Sequence, residues 1–347
     1  MAEIRNQQAK IIRQDYADFY RISGGLTLVV LGIWIGSLLF NDGYGTNVYT
    51  EALGVLATIL VLDQFNRWRE TQALKKRLLM EVRSPAHDTA VTALEWLRRE
   101  GWLDPDTFKG ETLERISWNG AYLGGLSFEN ARLREARLLG VTSYSAIHGD
   151  KKIDPINFQH THIRHCKLEN STFTRSNFSH SDIFNCTFVG CILSLSHINK
   201  TSVFKSNFSN IMAMGGNFSH SEFHQCQFDA MTGITINFSH CRLLATSFKH
   251  AELVSSDLSY SDCSGSLFST TNLSGSNLTA SILRGCDLES TKLDNVVYSE
   301  NSVLPDGTRW TPDTDLAKFT DRNHPNFAST REAINTIRAE MDLPPLD

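Results

Sequence analysis

Six side chains recur at intervals of twenty: His160, His180, Lys200, His220, His240 and Tyr260. Drawn into one row, such residues could bind an anion when protonated, hold a metal between neighbours, or respond to pH, because the imidazole is the side chain that titrates nearest neutrality. The phrase N-F-S-H recurs at 177, 217 and 237, so duplication of a repeat unit also accounts for the row. Seven cysteines form a second candidate set, at 166, 186, 191, 226, 241, 263 and 286. Asn-x-Ser/Thr sequons, among them Asn177, Asn207, Asn217 and Asn237, form a third. No phosphate loop, G-x-S-x-G or H-E-x-x-H is present. The residues therefore propose no catalytic, cofactor-binding or metal-binding constellation, and the histidine row is the single candidate surface.

What positions these residues is a period of five. Taking every fifth residue from Leu113 to Tyr298, 33 of 38 are large and apolar, including twelve Phe and fourteen Leu. The exceptions are Ser143, His148, Ala213, Gly233 and Cys263. The phase holds over 186 residues, which neither a helix nor a flat strand would sustain. Two places earlier runs a column of small residues, including Ala131, Thr161, Ser171, Ser181 and Thr201. Six of the seven cysteines fall in that column and Cys263 takes a central place. Packing as small hydrophobes produces this placement directly. The place before the central residue is often Asn or Asp, as at Asn177, Asp182, Asn217 and Asp257. The sequons are by-products of that grammar.

This pattern resembles the pentapeptide-repeat family, whose consensus is roughly A-(D/N)-L-x-x. The resemblance implies an all-β solenoid, a right-handed quadrilateral β-helix in which four pentapeptides make a coil and the large and small residues both point inward. Nine coils spaced by about 4.8 Å would form a rod of about 45 Å, with the six-residue row stacked on one outward face. Each coil of a solenoid depends on its neighbours, so the ends need covers. The amphipathic helix at 86–100 and the segment at 299–347, with Trp310 and Phe319, are expected to supply them. The helix from Ser329 to Glu340 either packs on that cover or offers an apolar face to a partner.

Upstream of the repeats, Ile22 to Phe40 runs nineteen residues without a charge, about 28 Å as a helix and close to the thickness of a hydrocarbon core. A second apolar stretch spans Val48 to Phe65, with Glu51 and Asp63 bounding its clean core. Arg5, Lys10, Arg13 and Arg21 precede the first stretch, Arg67, Arg69, Lys75, Lys76 and Arg77 follow the second, and the connecting loop carries no base. Two crossings place both basic flanks on the cytoplasmic side, so residues 22–66 are expected to form an α-helical transmembrane hairpin. Residues 1–21 would be a cytoplasmic tail and residues 67–104 juxtamembrane and capping helices.

The chain of 347 residues has a net charge of -5. Residues 111–298 hold 16 acids against 15 bases, and residues 299–347 hold 9 against 5. A balanced repeat region argues against nucleic acid as a partner. Some members of the family mimic DNA and bind type II topoisomerases, which requires a strongly negative face that these counts do not supply. The expected partners are the lipid bilayer and an unidentified protein, with self-association through the repeat ends or the membrane helices. The sequence thus reads as a non-enzymatic, membrane-anchored scaffold without cofactors, its two spans in the inner membrane and both termini cytoplasmic. A channel or transport-associated component is the alternative.

Overall fold

The computed structural model describes residues 45–145 and 152–347. The chain divides after Leu78 into two units.

In the second unit the period of five is the period of a corner. In nearly every repeat the residue two places after the central one has a positive φ: 57° at His160, 54° at His165, 56° at Asn170, 58° at Arg175. Asn and His tolerate this left-handed region better than most residues and Gly enters it freely, which explains their frequency there. Four corners bring the chain back over itself after twenty residues. The strands β1 (Thr112–Glu114), β2 (Arg132–Arg134), β5 (His162–Arg164), β6 (Asp182–Phe184), β7 (Ser202–Phe204), β8 (Glu222–His224) and β9 (Arg242–Leu244) stack in that order as one parallel sheet. Isolated parallel bridges continue the same wall through Asp262, Ile282 and Val303. Along every wall the backbone N–H of one coil donates to a carbonyl of the next, as from Phe178 to His197 at 2.7 Å.

The interior is filled by ladders of rings. Phe188, Phe208, Phe228, Phe248 and Phe268 stack with centroids 4.6, 5.0, 5.2 and 5.1 Å apart. Rings of opposite walls meet edge to face, as Phe228 and Phe238 do at 77°, the geometry that ring quadrupoles favour. The small column beside them is polar yet satisfied. Ser181 Oγ donates to the Phe158 carbonyl at 2.6 Å, Thr201 Oγ1 to Phe178 at 2.9 Å and Ser276 Oγ to Leu253 at 2.7 Å. A buried hydroxyl with a partner escapes most of the desolvation cost that would otherwise exclude it.

Two departures from the sequence reading concern the frame. The phase is unbroken along the chain, but the wall is not. Bridges join residues twenty apart up to Tyr122 and Thr142, then thirty apart from Ser127 to Asn157, then twenty apart again. After Ser143 the chain leaves the wall through the antiparallel pair β3 (Tyr144–Ser145) and β4 (Lys152–Ile153), while Asp154 N–H donates to the Ser143 carbonyl at 2.9 Å to close the coil, ten residues having been inserted between them. Ten is twice five, so the insertion leaves no trace in the phase. The irregular Ser143 borders it, and the irregular His148 lies outside the described residues.

The second departure is an exchange of sizes. At the central places Ala213 and Gly233 the residues two earlier are Ile211 and Met231, both fully buried. A Cβ on Gly233 would meet Met231 Cε at 2.8 Å and Leu253 Cδ2 at 3.0 Å. The large residue has moved to the small column, and the volume of the coil is preserved.

Helix α2 (His87–Arg99) lies at the first coil, with Ala90, Ala93, Leu94 and Leu97 buried. It ends in a Schellman turn, in which Gly101 N–H donates to Arg98 O and Trp102 N–H to Leu97 O. Trp118 Nε1 donates to the Val82 carbonyl at 2.8 Å, and Arg98 donates to the carbonyls of Tyr122 and Gly124 with its guanidinium over the Tyr122 ring. Phe108 stacks on Phe128 at 5.5 Å and extends the ring ladder by one place. After the last repeat, Leu304 and Phe319 are buried, the latter on the short helix α3 (Ala317–Thr320). Trp310 stacks on Tyr298 at 5.7 Å and is half-buried. Helix α4 (Phe327–Glu340) lies against the flank of the solenoid. Arg338, 3% exposed, donates from Nη1 to the carbonyls of Gly265 and Gly285, one coil apart, at 3.0 and 2.8 Å. Of the two expectations for this helix, packing within the chain is observed, at two glycine corners where no Cβ stands in the way.

The first unit is described from Gly45 onward. A single helix, α1 (Gly45–Glu81), contains the second apolar stretch and continues through the following bases. The predicted hairpin is therefore not seen as such. Residues 22–40 lie outside the described residues, and 48–65 is the front half of a longer helix. Among the described residues no helix is long and apolar enough to cross a membrane, because Glu51, Asp63 and the charges from Arg67 onward interrupt it.

Candidate functional site

The histidine row exists as a surface feature, and the corner builds it. His160, His180, Lys200, His220, His240 and Tyr260 all occupy the left-handed place on one edge of the solenoid, with φ between 55° and 60°, and all are exposed. His160 and His180 have ring centroids 4.9 Å apart and are inclined by 21°. His220 and His240 are 4.8 Å apart at 3°, and Tyr260 continues the stack 4.9 Å beyond His240 at 4°. Lys200 separates the two ring groups. Parallel rings at coil spacing turn their edges outward and keep their nitrogens about as far apart as their centroids. Two ligands of one metal ion must approach more closely, each about 2.0–2.1 Å from zinc. Among the described residues no group of three or more His, Cys, Asp or Glu is placed to hold a metal.

On the wall that follows this edge, charges are paired along the coils. Arg164 reaches Asp182 at 2.8 Å, with His162 at 3.4 Å from the same carboxylate, and Arg242 reaches Glu222 at 3.2 Å. Arg115 and Glu135 pair in the same way at 2.9 Å, and the arginine holds that carboxyl below its ordinary range. Each of these pairs brings an acid and a base together on the wall.

The cysteines are buried and unbridged. Burial pushes the thiols of Cys191, Cys226, Cys241 and Cys263 up to about 12 and raises Cys286 and Cys186 as well. A thiol held protonated is neither a nucleophile nor a metal ligand. Several instead donate to carbonyls as the serines of their column do, Cys191 to Leu168 at 2.8 Å and Cys286 to Cys263 at 2.9 Å. The sequon asparagines have a structural task too. Asn177, Asn207, Asn217 and Asn237 each accept, through Oδ1, the N–H of the residue two places on, at 2.8–3.1 Å. That Asx turn closes the corner.

One surface escaped the sequence reading. Leu195, Met212, Met214 and Ile234 are all at least 40% exposed on a single wall. The signal was apolar residues at places that face outward, twenty apart, within three successive coils.

The sequence model of the family described as pentapeptide repeats matches eight copies, over residues 156–194, 236–275 and 271–297. No curated protein matches the chain. Among solved structures the chain is similar to HetL, a pentapeptide-repeat protein involved in heterocyst differentiation regulation from the cyanobacterium Nostoc sp. strain PCC 7120. The identity is 19%, covering 62% of this chain and 98% of that one, with a TM-score of 0.32. Trypsin-treated QnrB1, a plasmid-mediated fluoroquinolone resistance protein, aligns at 19% identity over 57% of this chain and 86% of its own, TM-score 0.36. A pentapeptide-repeat protein of the Arabidopsis thaliana thylakoid lumen aligns at 24% over 38% and 84%, TM-score 0.21. Matched repeats, the period of five and the twenty-residue coil together identify the solenoid that begins at Leu113 as a pentapeptide-repeat domain.

Proposed function

We propose that this chain is a non-enzymatic, membrane-anchored scaffold that presents its solenoid to a protein partner on the cytoplasmic side. The observation that carries the reading is the front half of α1. Val55, Leu56, Ile59, Leu60, Leu62 and Phe65 are each 50% exposed or more, on a helix whose next two turns carry Arg67 and Arg69. Apolar side chains exposed to this extent and followed by bases suit a hydrocarbon phase with anionic headgroups beside it. Trp68 is the interfacial anchor, and the uncharged run at 22–40 supplies the companion span. The solenoid supports the scaffold half of the reading, since coil-to-coil hydrogen bonds on every wall make it stiff. Its paired charges speak against a mimic of DNA.

Fractionation tests the proposal. The full chain is expected in the membrane pellet, resistant to alkaline carbonate and released by detergent, whereas a chain lacking residues 1–66 is expected in the supernatant. A full chain found in the supernatant without detergent overturns the membrane reading.

A further inference from the structure

The wall that carries Ile192, Leu195, Met212, Met214, Ile234 and Val254 is apolar on its outer side. Its outward places are bridged in column from Ile192 through Met212 and Thr232 to Glu252. Leu195, Met212, Met214 and Ile234 are 48, 42, 41 and 40% exposed. On this wall the units 191–195, 211–215 and 231–235 contain no charged residue. Charge returns two coils from the centre on either side, with opposite sign: Arg175 at one end and Glu252 at the other, both exposed. At the middle coil, Leu195 Cδ2 lies 2.9 Å from where a Cβ of Gly215 would stand, so the leucine roofs the glycine corner and joins the patch.

We infer that this wall is a homodimer interface, in which two copies of the chain pack wall to wall and antiparallel. A contiguous apolar patch with a polar border marks an association surface, and three features select a second copy as its occupant. The side chains repeat once per coil, about 4.8 Å apart, and a second copy carries a wall with that same repeat. With a shared interval, each coil of one copy meets one coil of the other. Arg175 and Glu252 each lie two coils from the coil of Met212 and Met214, so a two-fold axis across that middle coil brings the arginine coil of one copy over the glutamate coil of the other. A parallel pair would bring like charges to the same level. The apolar patch covers about three coils, too little for the roughly 800 Å² per partner of a stable interface. The polar coils flanking it must therefore form a rim around the apolar centre, the usual anatomy of such contacts.

An isologous pair makes defined neighbours. Met212 faces its own copy across the axis, and Ile192 faces Thr232. Cysteine cross-linking of the full-length protein in detergent reads this directly, against a low background because the native thiols are buried. With copper phenanthroline as oxidant, Met212→Cys is expected to form a covalent dimer, as is an equal mixture of Ile192→Cys and Thr232→Cys chains. His240→Cys, on the histidine edge, is the control. Adding Met214→Glu to the Met212→Cys chain is expected to lower the yield about tenfold, the factor that a loss of about 1.4 kcal/mol produces, with an unchanged circular dichroism spectrum. Ile234→Asn serves the same purpose should Met214→Glu alter that spectrum. Yields no higher than the control overturn the dimer, as does a yield insensitive to both polar substitutions. Preferential pairing of Ile192→Cys with itself overturns the antiparallel arrangement. The inference does not rest on membrane anchoring: a chain that stays in the supernatant and still cross-links would sink that reading alone.

Discussion

His220 and His240 stand twenty residues apart in the chain, yet their rings lie 4.8 Å apart and within 3° of parallel. Both occupy corners, at φ 56°. Backbone conformation therefore restricts which residues these places accept, before any ligand is considered. His240→Val is expected to cost about 1–2 kcal/mol, because a β-branched side chain is strained in the left-handed region, while His240→Asn is close to neutral. Urea unfolding of the two variants decides. Equal stability of Val and Asn would remove the corner as the cause of the row.

The buried thiols make a prediction about alkaline stability. Cys191, Cys226, Cys241 and Cys263 titrate near 12 in the folded chain against an ordinary value of 9.0. Between these values the unfolded chain has released protons that the folded chain retains, so stability falls with rising pH. The contribution is complete below about 9 and gone above about 12. Melting temperature followed across this window should decline less steeply for Cys191→Ser than for the parent. The serine is expected to fold normally, since it occupies the same column at Ser171 and Ser196. Thiol reagents at neutral pH should leave the native chain unmodified and label all seven cysteines once it is unfolded.

The exchange of sizes at Met231 and Gly233 predicts a compensating pair. Restoring the large central residue by Gly233→Leu alone overfills the coil and should cost about 1–3 kcal/mol. Combining it with Met231→Ala should recover part of that loss, giving a coupling energy of about 0.5–3 kcal/mol in a double-mutant cycle. Simple additivity of the two changes would mean that the sites do not share one volume.

Arg338 joins α4 to two coils at once. Arg338→Met keeps much of the side-chain volume but leaves the Gly265 and Gly285 carbonyls without this donor. An unsatisfied buried acceptor costs about 1–3 kcal/mol, and that cost falls on the docking of the helix. Hydrogen exchange should show faster exchange across 327–340, with little change in the ring ladder around Phe228. Uniform acceleration along the solenoid would contradict a local role.

The excursion at 144–153 spans two periods, so removing all ten residues should leave Ser143 joined to Asp154 with every later wall in register. Little change in melting temperature is expected. Removing nine instead moves every large residue after the cut out of its inward place, and the repeats beyond Asp154 should fail to fold. Circular dichroism and melting of the two deletions separate these outcomes.

The amino-acid sequence by itself determined the unit of this protein. Large residue, small residue, Asn or Asp and corner each act within five residues of one another, and their repetition made the solenoid, its inward cysteines and the edge of His160, His180 and Lys200 legible without coordinates. Relationships between coils were decided only in the tertiary structure. A ten-residue insertion is invisible to a period of five, although the irregular Ser143 marked its border. The exchange of Met231 for Gly233 makes sense only when the volume of a whole coil is counted. The seat of α4 depends on the Gly265 and Gly285 carbonyls, which lie more than fifty residues before Arg338. The apolar wall around Met212 emerges where outward residues twenty apart become neighbours. Local turn chemistry sets which way each side chain points, and only closure of the coils sets what it meets.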